Sequence, residues 1–257
     1  MKLTIEAESL STQTLVGIAS DTKDVNLLTK LAKFGNSKVK SAVAKNPYAT
    51  VDILSELALD ENSEVREDVA ENEKTLGETL SILAKDKNSF VRGKAGKNPK
   101  ISEKTLNKLS DDEDFRVLSL IALNPKISPF TLAKLARVND RNVKKSVAAN
   151  ANTPADVFLD LSEEEWIIRA EIAKNPKAPE VVLAKLSDDK DCDIKRMVCY
   201  NPNTPPFIIK KLAEDANYIV RHAVKSRDFI LQQKISWNKK NGCVNKHNRF
   251  SFVILIN

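Results

Sequence analysis

The sequence predicts an all-α fold, a right-handed α-solenoid (superhelix) of about eight 26-residue, two-helix repeats. Three observations carry that reading. Asn46, Asn72, Asn98, Asn124, Asn150, Asn175 and Asn201 recur at a constant interval, shortened by a single position between Asn150 and Asn175. Three apolar positions keep phase with them: Val or Ile seven residues before each Asn, Leu, Phe or Ile eight residues after, and Leu three residues further on. Aromatic residues make up only 5% of the 257 residues and glycines number six, which suits helices packed through aliphatic side chains better than a turn-rich sheet.

Each unit reads as two short helices. Helix A is Val-[Arg/Lys]-x-x-Val-Ala-x-Asn, as in the run from Val39 to Asn46, with its apolar residues on one face. Asn ends it, because Asn tolerates the left-handed cap conformation. Pro follows at Pro47, Pro99, Pro125, Pro176 and Pro202 and cannot continue a helix. Helix B is expected to start at a capping Ser or Thr: Thr50, Thr75, Ser102, Ser128, Thr153 and Thr204. Pro129, Pro154, Pro179 and Pro205 fall where a first helical residue is expected. Its Leu-x-x-Leu-Ala stretch is the buried face, and acidic or Asn-rich loops such as Asp60-Glu61-Asn62-Ser63 lead into the next helix A. Helices this short are unstable alone and gain stability by stacking on their neighbours.

The repeat domain is expected over residues 1–227, with a degenerate repeat at 12–38, regular repeats at 39–219 and a truncated one at 220–227, where Arg227 takes the Asn position. Residues 228–257 form a basic, non-repeat C-terminal tail. The net charge of +6 belongs mostly to that end: from Ser226 on, Arg227, Lys234, Lys239, Lys240, Lys246 and Arg249 face the single Asp228. The nearly neutral body does not signal a long basic surface. No apolar run spans a bilayer, and the start of the chain lacks a signal peptide's apolar stretch. Cys192, Cys199 and Cys243 make no CxxC pair and are expected as reduced thiols, so the expected compartment is the cytoplasm.

The run V-[RK]-x-x-V-A-x-N-P-x-[TS]-P-x-x-x-L-x-x-L-A-x-D, carried by Asn201-Pro202-Asn203-Thr204-Pro205 with Leu212-Ala213-Glu214-Asp215, and by Asn46-Pro47 with Leu57-Ala58-Leu59-Asp60, resembles the leucine-rich repeat variant family. More broadly it is similar to the HEAT and armadillo class of α-solenoids. The resemblance spans the repeats and implies the architecture; solenoids carry many functions. The cysteine cluster that holds an iron–sulfur centre in the family's founding member has no counterpart here, so no cofactor is implied.

Four sets of residues compete for a role. Lys40, Arg66, Arg92, Lys144, Arg169, Lys195 and Arg221 form a basic ladder that could track a phosphate backbone. The in-phase acids Asp60, Asp86, Asp112, Glu164, Asp189 and Asp215, before or beside them, favour internal pairing, as in HEAT-like solenoids. The Asn row is expected to cap helix A and bond to the next unit's backbone. Leu118, Leu120 and Leu123 stand where other A helices carry charge, and with Phe130 they make the candidate binding surface for a protein or peptide. Glu163-Glu164-Glu165-Trp166 sets acids beside an aromatic, as HEAT-like alkylpurine DNA glycosylases do in a cleft, yet its place in an inter-unit loop favours a loop role. His222 and His247 are too few for a His-based zinc site or a triad, and no Gly-rich phosphate loop is present. Cys199 replaces the Ala of helix A and is expected in the core. The expected function is a non-enzymatic protein–protein interaction scaffold without cofactor or metal. The alternatives are a nucleic-acid-binding solenoid, with or without glycosylase activity, and a structural or regulatory subunit of a larger complex.

Overall fold

The computed structural model describes residues 10–227, and within them every regular element is a helix. The chain divides into two compact units, residues 1–135 and 136–257. In the first, α1 (Thr12–Asp21), α3 (Ser37–Lys45), α5 (Ser63–Glu71), α7 (Ser89–Lys97) and α9 (Phe115–Ala122) are the A helices. They alternate with the B helices α2 (Val25–Phe34), α4 (Val51–Leu57), α6 (Gly77–Leu83), α8 (Glu103–Leu109) and α10 (Pro129–Ala136), the last ending at the division. The second unit has α11 (Arg141–Ala149), α13 (Trp166–Lys174) and α15 (Cys192–Tyr200) as A helices, and α12 (Ala155–Leu161), α14 (Glu180–Leu186) and α16 (Pro206–Ala213) as B helices. A further A helix, α17, covers residues 218–227. The basic tail expected over 228–257 lies outside the described residues.

Within each unit the A helices pack closely side by side, while neighbouring B helices touch far less and leave grooves between them. The phased Val and Ile of helix A, Val39 to Ile194, are all sealed from solvent. Leu54, Leu80, Leu106, Leu132, Phe158 and Leu183 of helix B are sealed too. In α16 Ile208 and Leu212 are buried, and the phased Ile209 is half-buried, because no further B helix among the described residues covers that flank.

Two local expectations are corrected. Asn does not end helix A in the left-handed region: Asn46 sits at φ −67°, ψ 128° and Asn201 at φ −65°, ψ 129°. Pro next in sequence disfavours a helical conformation and pushes its predecessor to extended backbone. Extended Asn also closes a small turn, its Oδ1 accepting the amide two residues on, as from Tyr48 at 2.7 Å and Lys126 at 2.8 Å.

The second correction concerns helix B. Thr50, Ser102 and Ser128 do accept an amide of the first turn. Thr75, Thr153 and Thr204 stand one residue earlier in the repeat and are buried. Their hydroxyls donate back to Val69, Val147 and Val198 carbonyls near the end of helix A. The cap position there falls to Leu76, Pro154 and Pro205, and in α14 to Pro179. Burial decides between the roles, since that position faces the core as Ala49, Ile101, Ile127 and Ala178 in the other units.

Candidate functional site

The basic ladder projects from the second residue of the Val-[Arg/Lys] pair of helix A, and every member but Arg221 meets the acid in the loop that leads to the next helix A. Lys40 Nζ donates to Asp60 at 2.7 Å and Lys195 Nζ to Asp215 at 2.8 Å. Arg66 donates through Nε and Nη2 to both oxygens of Asp86, at 2.6 and 2.9 Å, and Arg92 does the same to Asp112 at 2.6 and 2.8 Å. Arg169 meets Asp189, and Lys144 meets Glu164. The arginines also reach back: Arg66 Nη1 donates to the Asp60 and Glu61 carbonyls, Arg92 Nη1 to that of Asp86 and Arg169 Nη1 to that of Glu164. Each of these arginines thereby ties the loop before its own helix to the corresponding loop of the following repeat. Among the described residues Arg221 makes the backward half alone, on the Asp215 and Ala216 carbonyls. The acids thus lie mainly in the following loop rather than before the base.

This burial has electrostatic consequences. Arg66 and Asp86 leave only 8% and 9% of their side chains exposed. Burial alone raises the Asp86 carboxyl, but the Arg66 hydrogen bond, the Asn88 amide and the Arg66 charge outweigh it and hold it below its ordinary value. The same balance lowers Asp60, Asp112 and Asp215. The Asp86 bond in turn raises the Arg66 guanidinium. Glu67 is raised by burial and by its neighbour Asp68.

The Asn row is a second framework, and it points toward the preceding unit rather than the next. Asn98 Nδ2 donates to the carbonyls of Ala70 at 2.9 Å and Asn72 at 3.1 Å, both in the repeat before its own. Asn124 does so to Gly96 and Asn98, and Asn201 to Ala173 and Asn175. The orphan carbonyls at the end of one helix A are satisfied by the amide that ends the next. At the last position Arg227 takes over: its Nη1 donates at 2.6 Å to the Cys199 carbonyl, again one repeat back.

The candidate apolar surface separates into accounted-for and exposed members. Leu118 occupies the ladder position of α9 and is buried, 4% exposed; the corresponding acid position of the next loop holds Val138. Leu120 is half-buried because α7 carries Gly93 opposite it, where a Cβ would come within 2.6 Å of Leu120 Cδ1. Gly96 receives Ile121 in the same way, a Cβ there falling 2.4 Å from Ile121 Cγ2. The apolar run in α9 is therefore largely packing between α9 and α7. Leu123 at 41% and Phe130 at 82% do expose their side chains. Cover of this face by the N-terminal segment, residues 1–9, or by residues 228–257 would lie outside the described residues.

The acids beside Trp166 are drawn into the frame of their loop: Glu163 meets Lys185, Glu164 meets Lys144 and Glu165 meets Arg141. Cys199 is buried and Cys192 half-buried. His222 is exposed, while His247 and Cys243 lie outside the described residues. Among the described residues no helix is long and apolar enough to cross a membrane.

The sequence reading missed a third framework. The acid one residue before the ladder acid reaches forward to a lysine on the next B helix: Asp111 to Lys134, Glu163 to Lys185 and Asp188 to Lys211. The acidic doublets Asp111-Asp112, Glu163-Glu164 and Asp188-Asp189 were its visible signal. One member serves the A layer and the other the B layer.

No protein-family model matches the chain, and no curated protein sequence does. Among solved structures, one described as a leucine-rich repeat variant with a novel repetitive structural motif aligns with a TM-score of 0.57 at 21% identity, covering 84% of this chain and 86% of that one. The fold is that of a leucine-rich repeat variant. An engineered protein aligns at 0.44 with 18% identity, over 84% and 82% of the two chains. Computationally designed armadillo repeat proteins for modular peptide recognition align at 0.26 with 17% identity, over 84% and 98%. The leucine-rich-repeat-variant fold fixes the architecture, and the function is a matter for the free surfaces.

Proposed function

We propose that this protein is a non-catalytic scaffold that binds other proteins through the outward side of its B helices. The observation that carries the reading is the division of side chains between framework and surface. The cations that could have tracked a nucleic acid are engaged with internal carboxylates and carbonyls. Three B helices instead present a large apolar side chain at one repeat position, six residues after the Asn, namely Phe130 in the first unit and Val181 and Phe207 in the second, where Asp52, Glu78, Lys104 and Asp156 stand in the others. Exposed aromatic side chains of this kind are the usual anchors of protein interfaces.

The test is capture of partners by the full chain, by Phe130→Glu and by Phe207→Glu, with washes at low and high salt. A protein partner retained by the native chain at high salt, and lost with either substitution while the helical circular dichroism stays unchanged, supports the reading. Nucleic acid as the retained species, lost at high salt, refutes it.

A further inference from the structure

Several grooves between successive B helices carry an ion pair at a fixed pair of repeat positions, and one groove carries like charges there. At three steps the acid just before the ladder acid pairs with a lysine of the next B helix, giving Asp111–Lys134, Glu163–Lys185 and Asp188–Lys211. In the groove between α6 and α8 the two corresponding residues are Lys85 and Lys108, and the position that holds Phe130 in the next groove holds Lys104. All three lysines are exposed, border a cleft of about 370 Å³, and make no ion pair among the described residues. The carboxylates in that cleft are already committed, Asp112 to Arg92 and Asp111 to Lys134. Two ammonium groups thus share a cleft at the positions where three other grooves place opposite charges, with a third beside them. Like charges gathered in one cleft repel, and no ion pair among the described residues neutralises them.

We propose that the α6–α8 groove is a docking site for a carboxylate-rich peptide segment of a partner protein, whose acidic side chains supply the counter-charge missing at Lys85. The groove is open and polar, with Ser81, Ser102 and Thr105 among its lining, so it suits an extended chain rather than a small apolar ligand. This inference rests on the scaffold reading and names the chemistry of one partner contact.

The experiment is fluorescence anisotropy of fluorescein-labelled hexaglutamate titrated with the full chain at low and moderate salt. The variants are Lys85→Asp, which creates the acid–lysine pair of three other grooves, and Lys104→Phe, which places there the aromatic found as Phe130 and Phe207. Native protein is expected to bind with salt-sensitive affinity, Lys104→Phe to bind more weakly, and Lys85→Asp to bind at least tenfold more weakly with no fall in its thermal midpoint. Equal binding by Lys85→Asp overturns the assignment, because the attraction then comes from elsewhere on the chain. So does absence of binding by the native protein, or Lys85-dependent binding of an RNA hexamer tighter than that of the peptide. If hexaglutamate fails but the captured partners still depend on Phe130 or Phe207, only the groove assignment falls and the scaffold reading stands.

Discussion

Replacing Arg66 by Met should be among the most damaging single changes outside the apolar core. Its guanidinium donates to both oxygens of Asp86 and to the carbonyls of Asp60 and Glu61, with under a tenth of either charged side chain exposed. Met fills much of the volume but leaves the buried Asp86 carboxylate with the Asn88 amide alone to replace a bidentate guanidinium. Removing one member of a buried pair costs ~3–5 kcal/mol, whereas replacing both by apolar groups is often close to neutral. The chain itself carries apolar residues at both of these repeat positions once, as Leu118 and Val138. Arg66→Met with Asp86→Leu is therefore expected to recover about 2 kcal/mol or more of the loss of the single variants. Urea denaturation of the full chain, followed by circular dichroism for the native protein, both single variants and the double, gives the coupling directly. A single-variant cost below about 1 kcal/mol, the value of an exposed pair, or a double variant as unstable as the summed singles, would refute the argument.

Other expectations follow from the same geometry. Asn98→Ala removes the donor to the Ala70 and Asn72 carbonyls and should cost about 1–3 kcal/mol; Asn98→Asp, which sets a carboxylate against two carbonyl oxygens, should cost more by the same denaturation assay. Gly96→Ala should destabilise despite the better helix propensity of Ala, because its Cβ would meet buried Ile121 at 2.4 Å; a penalty of about 1–3 kcal/mol is expected, and Ile121→Ala in the same chain should relieve part of that penalty. The ladder aspartates Asp60, Asp86, Asp112 and Asp215 have folded-state pKa values below their unfolded ones. Their stabilisation is complete above the unfolded value of about 4 and is lost as pH falls through the folded values, so the thermal midpoint should drop below about pH 4, and the drop should be smaller in Arg66→Met/Asp86→Leu.

The repeat was legible because packing imposes one residue type at each phase: Val39 to Ile194 and Leu54 to Leu183 are apolar since each is sealed in the core. The ladder partners were legible as acids in phase, but their direction was not. Sequence spacing alone does not tell whether Lys40 meets an acid before or after it, and only the stacking of successive repeats selects Asp60. The misjudged caps, Thr75 against Thr50, differ by one residue in register, which turns a hydroxyl from the helix end into the core. The packing of the α9 run was hidden for a related reason: Leu120 reads as surface by analogy with charged residues in other repeats, while the residue it packs against, Gly93, lies one repeat earlier on a different helix.

The central claim is that the ladder cations are internal structure and not a ligand-facing row. Lysine footprinting of the native full chain with an amine-reactive acylating reagent, read by mass spectrometry, tests it most directly. Lys40, Lys144 and Lys195, each tied to a carboxylate, should modify slowly, while Lys85, Lys104 and Lys108 should modify rapidly. Ladder lysines that react as fast as the groove lysines would contradict the account.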